Sequence, residues 1–246
     1  MLYNKINEYR KKFNKRKRGK IMTKDFKKML GSKRCYIFDL DGTIADTERI
    51  HWEAHNIVLK KMFGIEVDLD HIYTYLGKPE SVFLKEIEKD YGIDIGGPKG
   101  KGYEKYVKER NKIAEKLILS SSSPFPFMKE ILSDTFGIQI ALVSAQNRTL
   151  IRKMLSHWGI AGLFSEINTF IVDDNKSKPF YYDYILTDVL KNADPSEVIL
   201  FEDVNKYLQE GKKRGFVTIG IQNGFGKEKI EADYVIDATK EEFTLI

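Results

Sequence analysis

The sequence contains one cysteine, Cys35, so it can form no internal disulfide and offers no cysteine-based zinc site. Any metal must be held by oxygen and nitrogen donors. No apolar run approaches the roughly 20 residues that a bilayer-spanning helix needs, and the N-terminus lacks the apolar stretch of a secretory signal. The expectation is a soluble chain of the cytoplasm with no membrane span. With only 6 Pro and 18 Gly it is neither collagen-like nor a low-complexity tract, while 42% hydrophobic and 12% aromatic residues supply a core. No internal repeat is present.

Acidic residues are scarce in one region. Residues 1–34 carry 14 Lys or Arg against Glu8 and Asp25 alone, whereas the rest of the chain is acidic overall. The net charge of +5 therefore joins a basic arm to an acidic body. The run Lys15-Arg16-Lys17-Arg18 could meet nucleic acid, an anionic surface or an acidic partner, but composition alone favours a solvated, partly disordered tail. A monomer is the expected state.

From residue 35 the pattern changes. Cys35-Tyr36-Ile37-Phe38 reads as a short buried strand, and further strands are expected at 138–144, 168–172, 198–201, 217–221 and 234–236. Helical periodicity lies between them: Leu150, Ile151, Met154, Leu155 and Trp158 share a face, as do Tyr181, Tyr184, Ile185 and Val189, then Val204, Tyr207, Leu208 and Gly211. Strands alternating with helices predict an α/β fold with a doubly wound parallel sheet, whose ligands bind beyond the carboxyl ends of the strands. Residues 47–120 break the alternation. They hold only helical patterns, through Ile50, Ala54, Ile57 and Val58, then Val82, Phe83 and Ile87, then Tyr106, Ile113 and Leu117. The expected organisation is a basic arm (1–34), a core (35–46 and 121–246) and an inserted α-helical cap (47–120), with Ser120-Ser121-Ser122-Ser123-Pro124 as a flexible connector.

The chemistry starts at Asp39 and Asp41. Strand positions two apart share a side, so both carboxylates can address one small site, and Gly42 permits a tight turn after them. An Asp-x-Asp alone is weak evidence. Downstream, however, Ser144 closes the second strand, Lys178-Pro179 opens a helix, and Phe201-Glu202-Asp203 closes another strand. This ordered quartet resembles that of the haloacid dehalogenase superfamily phosphohydrolases, in the branch with a helical cap after the first motif. The resemblance covers 35 to about 238.

It implies a Rossmann-like core, a magnesium-dependent phosphatase and a small phosphorylated metabolite as substrate, with a sugar-phosphate mutase or a non-catalytic binder as alternatives. In its terms Asp39 is the nucleophile that becomes an aspartyl phosphate, Asp41 the general acid and base, Ser144 the hydroxyl and Lys178 the cation that hold the phosphoryl group. Mg2+ would be held by Asp39 and Asp203, with Glu202 close by and the Asp41 carbonyl. Physics supports this division: an anionic phosphoryl group repels a carboxylate unless cations intervene, and magnesium takes a few hard oxygen ligands. The substrate-binding set is Thr43, Ser144, Ala145, Gln146 and Lys178 from the core, with His51, Lys78 and Arg110 from the cap.

Three features depart from the family pattern. The helix after the last acids should be rich in Gly and Ala, but here carries Val204, Tyr207, Glu210 and Arg214. Gln146-Asn147 follows Ser144. Glu80 stands where mutases of this branch carry an arginine for a second phosphate, and an acid there would repel one.

Overall fold

The computed structural model describes residues 22–72, 80–97, 100–173, 175–225, 228–240 and 242–244. Helix α1 (Lys24–Gly31) precedes β1 (Cys35–Phe38), and four helices follow: α2 (Glu48–Phe63), α3 (Leu69–Ile72), α4 (Glu80–Tyr91) and α5 (Lys101–Ser121). Then come α6 (Pro126–Ser133), β2 (Gln139–Ser144), α7 (Arg148–His157), β3 (Thr169–Ile171), α8 (Lys178–Tyr184), β4 (Val198–Glu202), α9 (Asn205–Lys213), β5 (Val217–Gln222), β6 (Tyr234–Asp237) and β7 (Glu242–Thr244). The sheet order is β3-β2-β1-β4-β5-β6-β7. The first six strands are mutually parallel, as the alternation predicts, and β7 adds an antiparallel edge that the sequence reading did not include.

Strand alternation sorts the core into two layers. Tyr36 and Phe38 face one side, where Phe38 stacks on Phe201 at 4.7 Å within a core cluster that also takes in Phe26 of α1, Met128 of α6 and Met154 of α7. Cys35 and Ile37 face the other, against Tyr182 and Ile185 of the α8 segment. A β1 buried on both faces is what a continuous apolar run encodes in a central parallel strand.

Residues 22–34, assigned from charge to the basic arm, behave differently from that reading. Thr23 caps α1 by accepting from the Phe26 amide, and Met22, Phe26 and Leu30 are buried in the sheet's core. Lys24, Lys27 and Lys28 stay exposed. The charge marks the solvent face of an amphipathic helix, and the apolar stripe at i, i+4 and i+8 decides its placement. Lys15-Arg16-Lys17-Arg18 lies outside the described residues.

The cap has its own core. Val58, Leu59, Phe83, Leu84, Ile87 and Tyr106 pack together, apart from the sheet's clusters. The expected faces carry buried Ile50, Ala54, Val58, Phe83, Ile87 and Tyr106, but Ile57 and Val82 are exposed, while His55, Leu84 and Ala114 also point inward. The chain enters the cap at Ile44-Ala45 and leaves at Pro124-Phe125, and the two crossings pair, with the Phe125 amide donating to the Ile44 carbonyl at 2.9 Å. The serine run is more ordered than a flexible connector. Helix α5 continues through Ser121, the Ser122 hydroxyl donates to the Ile118 carbonyl, and Trp158 Nε1 donates to Ser122 Oγ. Serine hydroxyls satisfy helix-terminal carbonyls that would otherwise be left open. Among the described residues no helix is long and apolar enough to cross a membrane.

Candidate active site

Parallel pairing brings the acids together. Phe38 is in register with both Leu142 and Phe201, so β1, β2 and β4 end side by side, and the Asp39 amide donates to the Phe201 carbonyl at 3.1 Å. Asp39, Ser144 and Glu202-Asp203 therefore emerge at one carboxyl edge. Gly42 turns the chain back with φ +79°, and a Cβ there would collide with the Asp203 carboxylate. Both its conformation and its lack of a side chain are required.

Lys178 opens α8 behind the Ser177 cap and is buried. Its Nζ lies 2.7 Å from Asp39 Oδ1 and 2.7 Å from Glu202 Oε2. Burial opposes its charge, but the Asp39 and Glu202 carboxylates outweigh burial and hold its pKa well above the ordinary lysine value. One carboxylate oxygen from each of Asp39, Glu202 and Asp203 lies within 4.8 Å of the others. Burial, reinforced by the neighbouring Glu202 charge, pushes Asp39 upward. Burial likewise pushes Glu202 to about 7, and burial with the Asp39 charge raises Asp203. Three carboxylates around one ammonium leave uncompensated negative charge. Hard oxygen donors in that number and spacing fit a magnesium ion.

Asp203 is oriented from two sides. Thr43 Oγ1 donates to Oδ1 at 3.2 Å, and Asn223 Nδ2 donates to Oδ2 at 2.8 Å and to the Gly42 carbonyl at 3.0 Å. Thr43, expected to contact substrate, thus places a candidate metal ligand in the resting site. The Asp41 side chain lies outside the three-carboxylate cluster, accepting from Thr47 Oγ1 at 2.5 Å with His51 Nε2 at 3.3 Å. Burial works against its ionised form, but hydrogen bonding to His51 and Thr47 prevails and lowers its pKa. His51 Nε2 is also 3.2 Å from Gln146 Nε2, so α2 of the cap meets the β2–α7 loop at this imidazole.

Ser144 is buried, its Oγ accepts from the Gln146 amide at 3.0 Å, and Ala145 between them is exposed. Asn147 caps α7 by accepting from the Leu150 amide. Of the expected cap residues, His51 is tied to the quartet by these bonds. Arg110 is half-buried on α5, where its charge acts on His55. Lys78 lies outside the described residues.

The sequence reading missed Thr47, Asn223 and Glu48. Asn223 immediately follows β5, at the same carboxyl edge that singled out the acids, and that position was the available signal. Thr47 precedes α2, where a hydroxyl reads as an ordinary helix cap. Glu48 is half-buried in the first turn of α2, and burial together with the Asp41 and Asp39 charges raises its pKa.

Comparison with known proteins bears on this site. The fructose-1-phosphate phosphatase YqaB of Escherichia coli (strain K12) is 22% identical over 187 residues, 76% of this chain and 95% of that protein. The phosphoglycolate phosphatase of Aquifex aeolicus (strain VF5) is 25% identical over 191 residues, 75% of this chain and 83% of that one. A solved structure from Haemophilus somnus 129pt, described as a predicted phosphoglycolate phosphatase, shares the fold with a TM-score of 0.67 at 16% identity, covering 83% of this chain and 93% of its own. The family model for haloacid dehalogenase-like hydrolases matches residues 36–221, from β1 through the cap into β5, and the chain belongs to that family.

Proposed function

We propose that the protein is a magnesium-dependent phosphatase that hydrolyses a small phosphomonoester through an aspartyl phosphate on Asp39. The observation that carries this reading is the buried Lys178 ammonium bound to Asp39 and Glu202 at 2.7 Å, beside Asp203 and within one carboxylate cluster. Asp39, Asp203 and Glu202 would hold the cation, with the Asp41 carbonyl, which when bound offsets phosphoryl charge and aligns the reacting oxygens.

Asp39 supplies the carboxylate oxygen that forms a bond to phosphorus as the bond to the leaving oxygen breaks. Lys178 balances the negative charge spread over the transferring group, and the Ser144 hydroxyl donates to one of its oxygens. Asp41 gives the leaving oxygen its proton. His51 Nε2 lies 3.3 Å from Asp41 Oδ1 and orients the carboxyl group that carries out this transfer. Asp41 then removes a proton from the water that cleaves the acyl phosphate, regenerating Asp39. The cap closes over these groups, through His51 and Gln146, and restricts the leaving group to a small molecule. The printed names of the curated relatives favour a sugar phosphate or a phosphoglycolate-like acid.

Phosphate release from a panel of small phosphomonoesters, with and without magnesium, tests the reading. Wild type should release phosphate only with magnesium, and Asp39→Asn should lose roughly 10⁴-fold or more of that rate while staying folded. Metal-independent release, or an active Asp39→Asn, rejects the mechanism. Isomerisation of a sugar phosphate without phosphate release would assign the chain to the mutases instead.

A further inference from the structure

The helix after the last acids departs from the family pattern at Tyr207, Glu210 and Arg214, and all three side chains engage partners. Lys178 Nζ stands 4.4 Å from the centroid of the Tyr207 ring. An ammonium has three N–H bonds and no acceptor. Two are met by Asp39 and Glu202 at 2.7 Å, and the ring closes a further side of a lysine that is itself buried. Two turns along, Arg214 grips Asp183 of α8 with two nitrogens at 2.6 and 2.8 Å and reaches Glu210 at 2.8 Å. The fork-to-fork pair ties α9 to the helix that begins at Lys178. The substitutions are thus arranged around α8.

We propose that Tyr207 is a positioning residue, whose ring face holds the Lys178 ammonium against Asp39 and Glu202 in the geometry that phosphoryl transfer requires, with Arg214 and Asp183 fixing the two helices that bring ring and ammonium together. A lysine on four rotatable bonds is otherwise a mobile point charge. A π face attracts the cation without competing for its N–H bonds as a carboxylate would, and it excludes water from that side. The ring acts through Lys178, so its effect falls on the rate of transfer more than on substrate affinity. The proposal rests on the phosphatase reading for its catalytic part and on ring geometry alone for the rest.

Tyr207→Phe and Tyr207→Leu separate ring, hydroxyl and bulk. On the best phosphomonoester of the panel, Tyr207→Leu should lower kcat about tenfold with KM changed by less than about twofold, the loss expected for one desolvated cation–π contact. Tyr207→Phe should restore kcat, and both variants should melt as the wild type does. In protein labelled with 13C-lysine, the ring-current shift of the Lys178 ε-methylene should persist in Tyr207→Phe and vanish in Tyr207→Leu. A Tyr207→Leu enzyme as fast as wild type, or a Tyr207→Phe enzyme as slow as Tyr207→Leu, overturns the proposal. If the wild type releases no phosphate, the functional reading fails, and the methylene shift alone decides the positioning: its loss in Tyr207→Leu upholds it, and its persistence overturns it.

Discussion

The carboxyl edge of the sheet and the interior of the cap both bury polar groups, but they do so in opposite ways. At the edge, Asp39, Glu202, Asp203 and Lys178 are brought together as charges, with more carboxylates than the one ammonium balances. In the cap, His55 Nδ1 lies 2.8 Å from Tyr106 Oη among the rings of Trp52 and Phe83, and Asn56 exchanges hydrogen bonds with the backbone of Val67. Both side chains, an imidazole and an amide, are satisfied by neutral partners within the cap. A polar group buried for structure is neutralised where it lies, whereas a site built for an anionic substrate and a cation keeps strain that the ligands relieve.

Removing Lys178 from the edge breaks this contrast most forcefully. Lys178→Met leaves Asp39 and Glu202 buried without their shared partner, and truncating one side of a buried ion pair costs about 3–5 kcal/mol. The variant should be inactive and should melt well below wild type in urea or heat. It should recover part of that loss near pH 5, where the carboxylates take up protons. An equivalent substitution of a surface lysine such as Lys108 should change neither property. A Lys178→Met protein as stable as wild type would show that the edge carries no such strain.

Magnesium probes the same imbalance more gently. The three carboxylates have folded pKa values raised above their unfolded ones, so the folded protein binds more protons than the unfolded chain between ordinary carboxylate values and about 7 to 8. Stability of the metal-free protein therefore falls as pH rises through that window. A cation binding the ionised form offsets the penalty. The magnesium-induced rise in Tm should be larger at pH 8 than at pH 5.5, and a rise that is independent of pH would separate the metal from these carboxylates.

How much of this contrast was legible in the sequence depends on the distance between partners. Six strands were placed within a residue or two of their ends because short apolar runs bounded by turns mark buried parallel strands. Asp39, Asp41, Ser144, Lys178 and the Glu202-Asp203 pair stood out because each ends or begins an element at one edge of the sheet. Other features needed the fold. Asn223 serves Gly42 and Asp203 from the far end of β5, and Tyr207 and Arg214 read as disturbances until α8 lay beside them. Charge also misled: the lysines of α1 hid an apolar stripe that belongs to the core. His55, with its hydrogen bond to Tyr106 inside the cap, is a buried polar group of the structural kind.

His55 supplies the smallest effect and the clearest sign. Burial, joined by the nearby Arg110 charge, holds its pKa well below the ordinary histidine value, so the folded protein keeps it neutral. Below pH about 6.5 the unfolded chain takes up a proton that the folded protein refuses. Its contribution to stability is present above that pH and is lost as pH falls, by at most about 1.4 kcal/mol for each pH unit. The carboxyl edge has the opposite slope over the same range. Comparing wild type with His55→Phe by urea unfolding at pH 7 and pH 5 isolates the cap, because the edge is common to both. His55→Phe should lose less stability on acidification than wild type, even if the altered packing makes it less stable at both pH values. Parallel losses in the two proteins would mean that His55 accepts its proton in the folded cap, and the distinction between a neutral cap and a charged edge would fail at its most direct test.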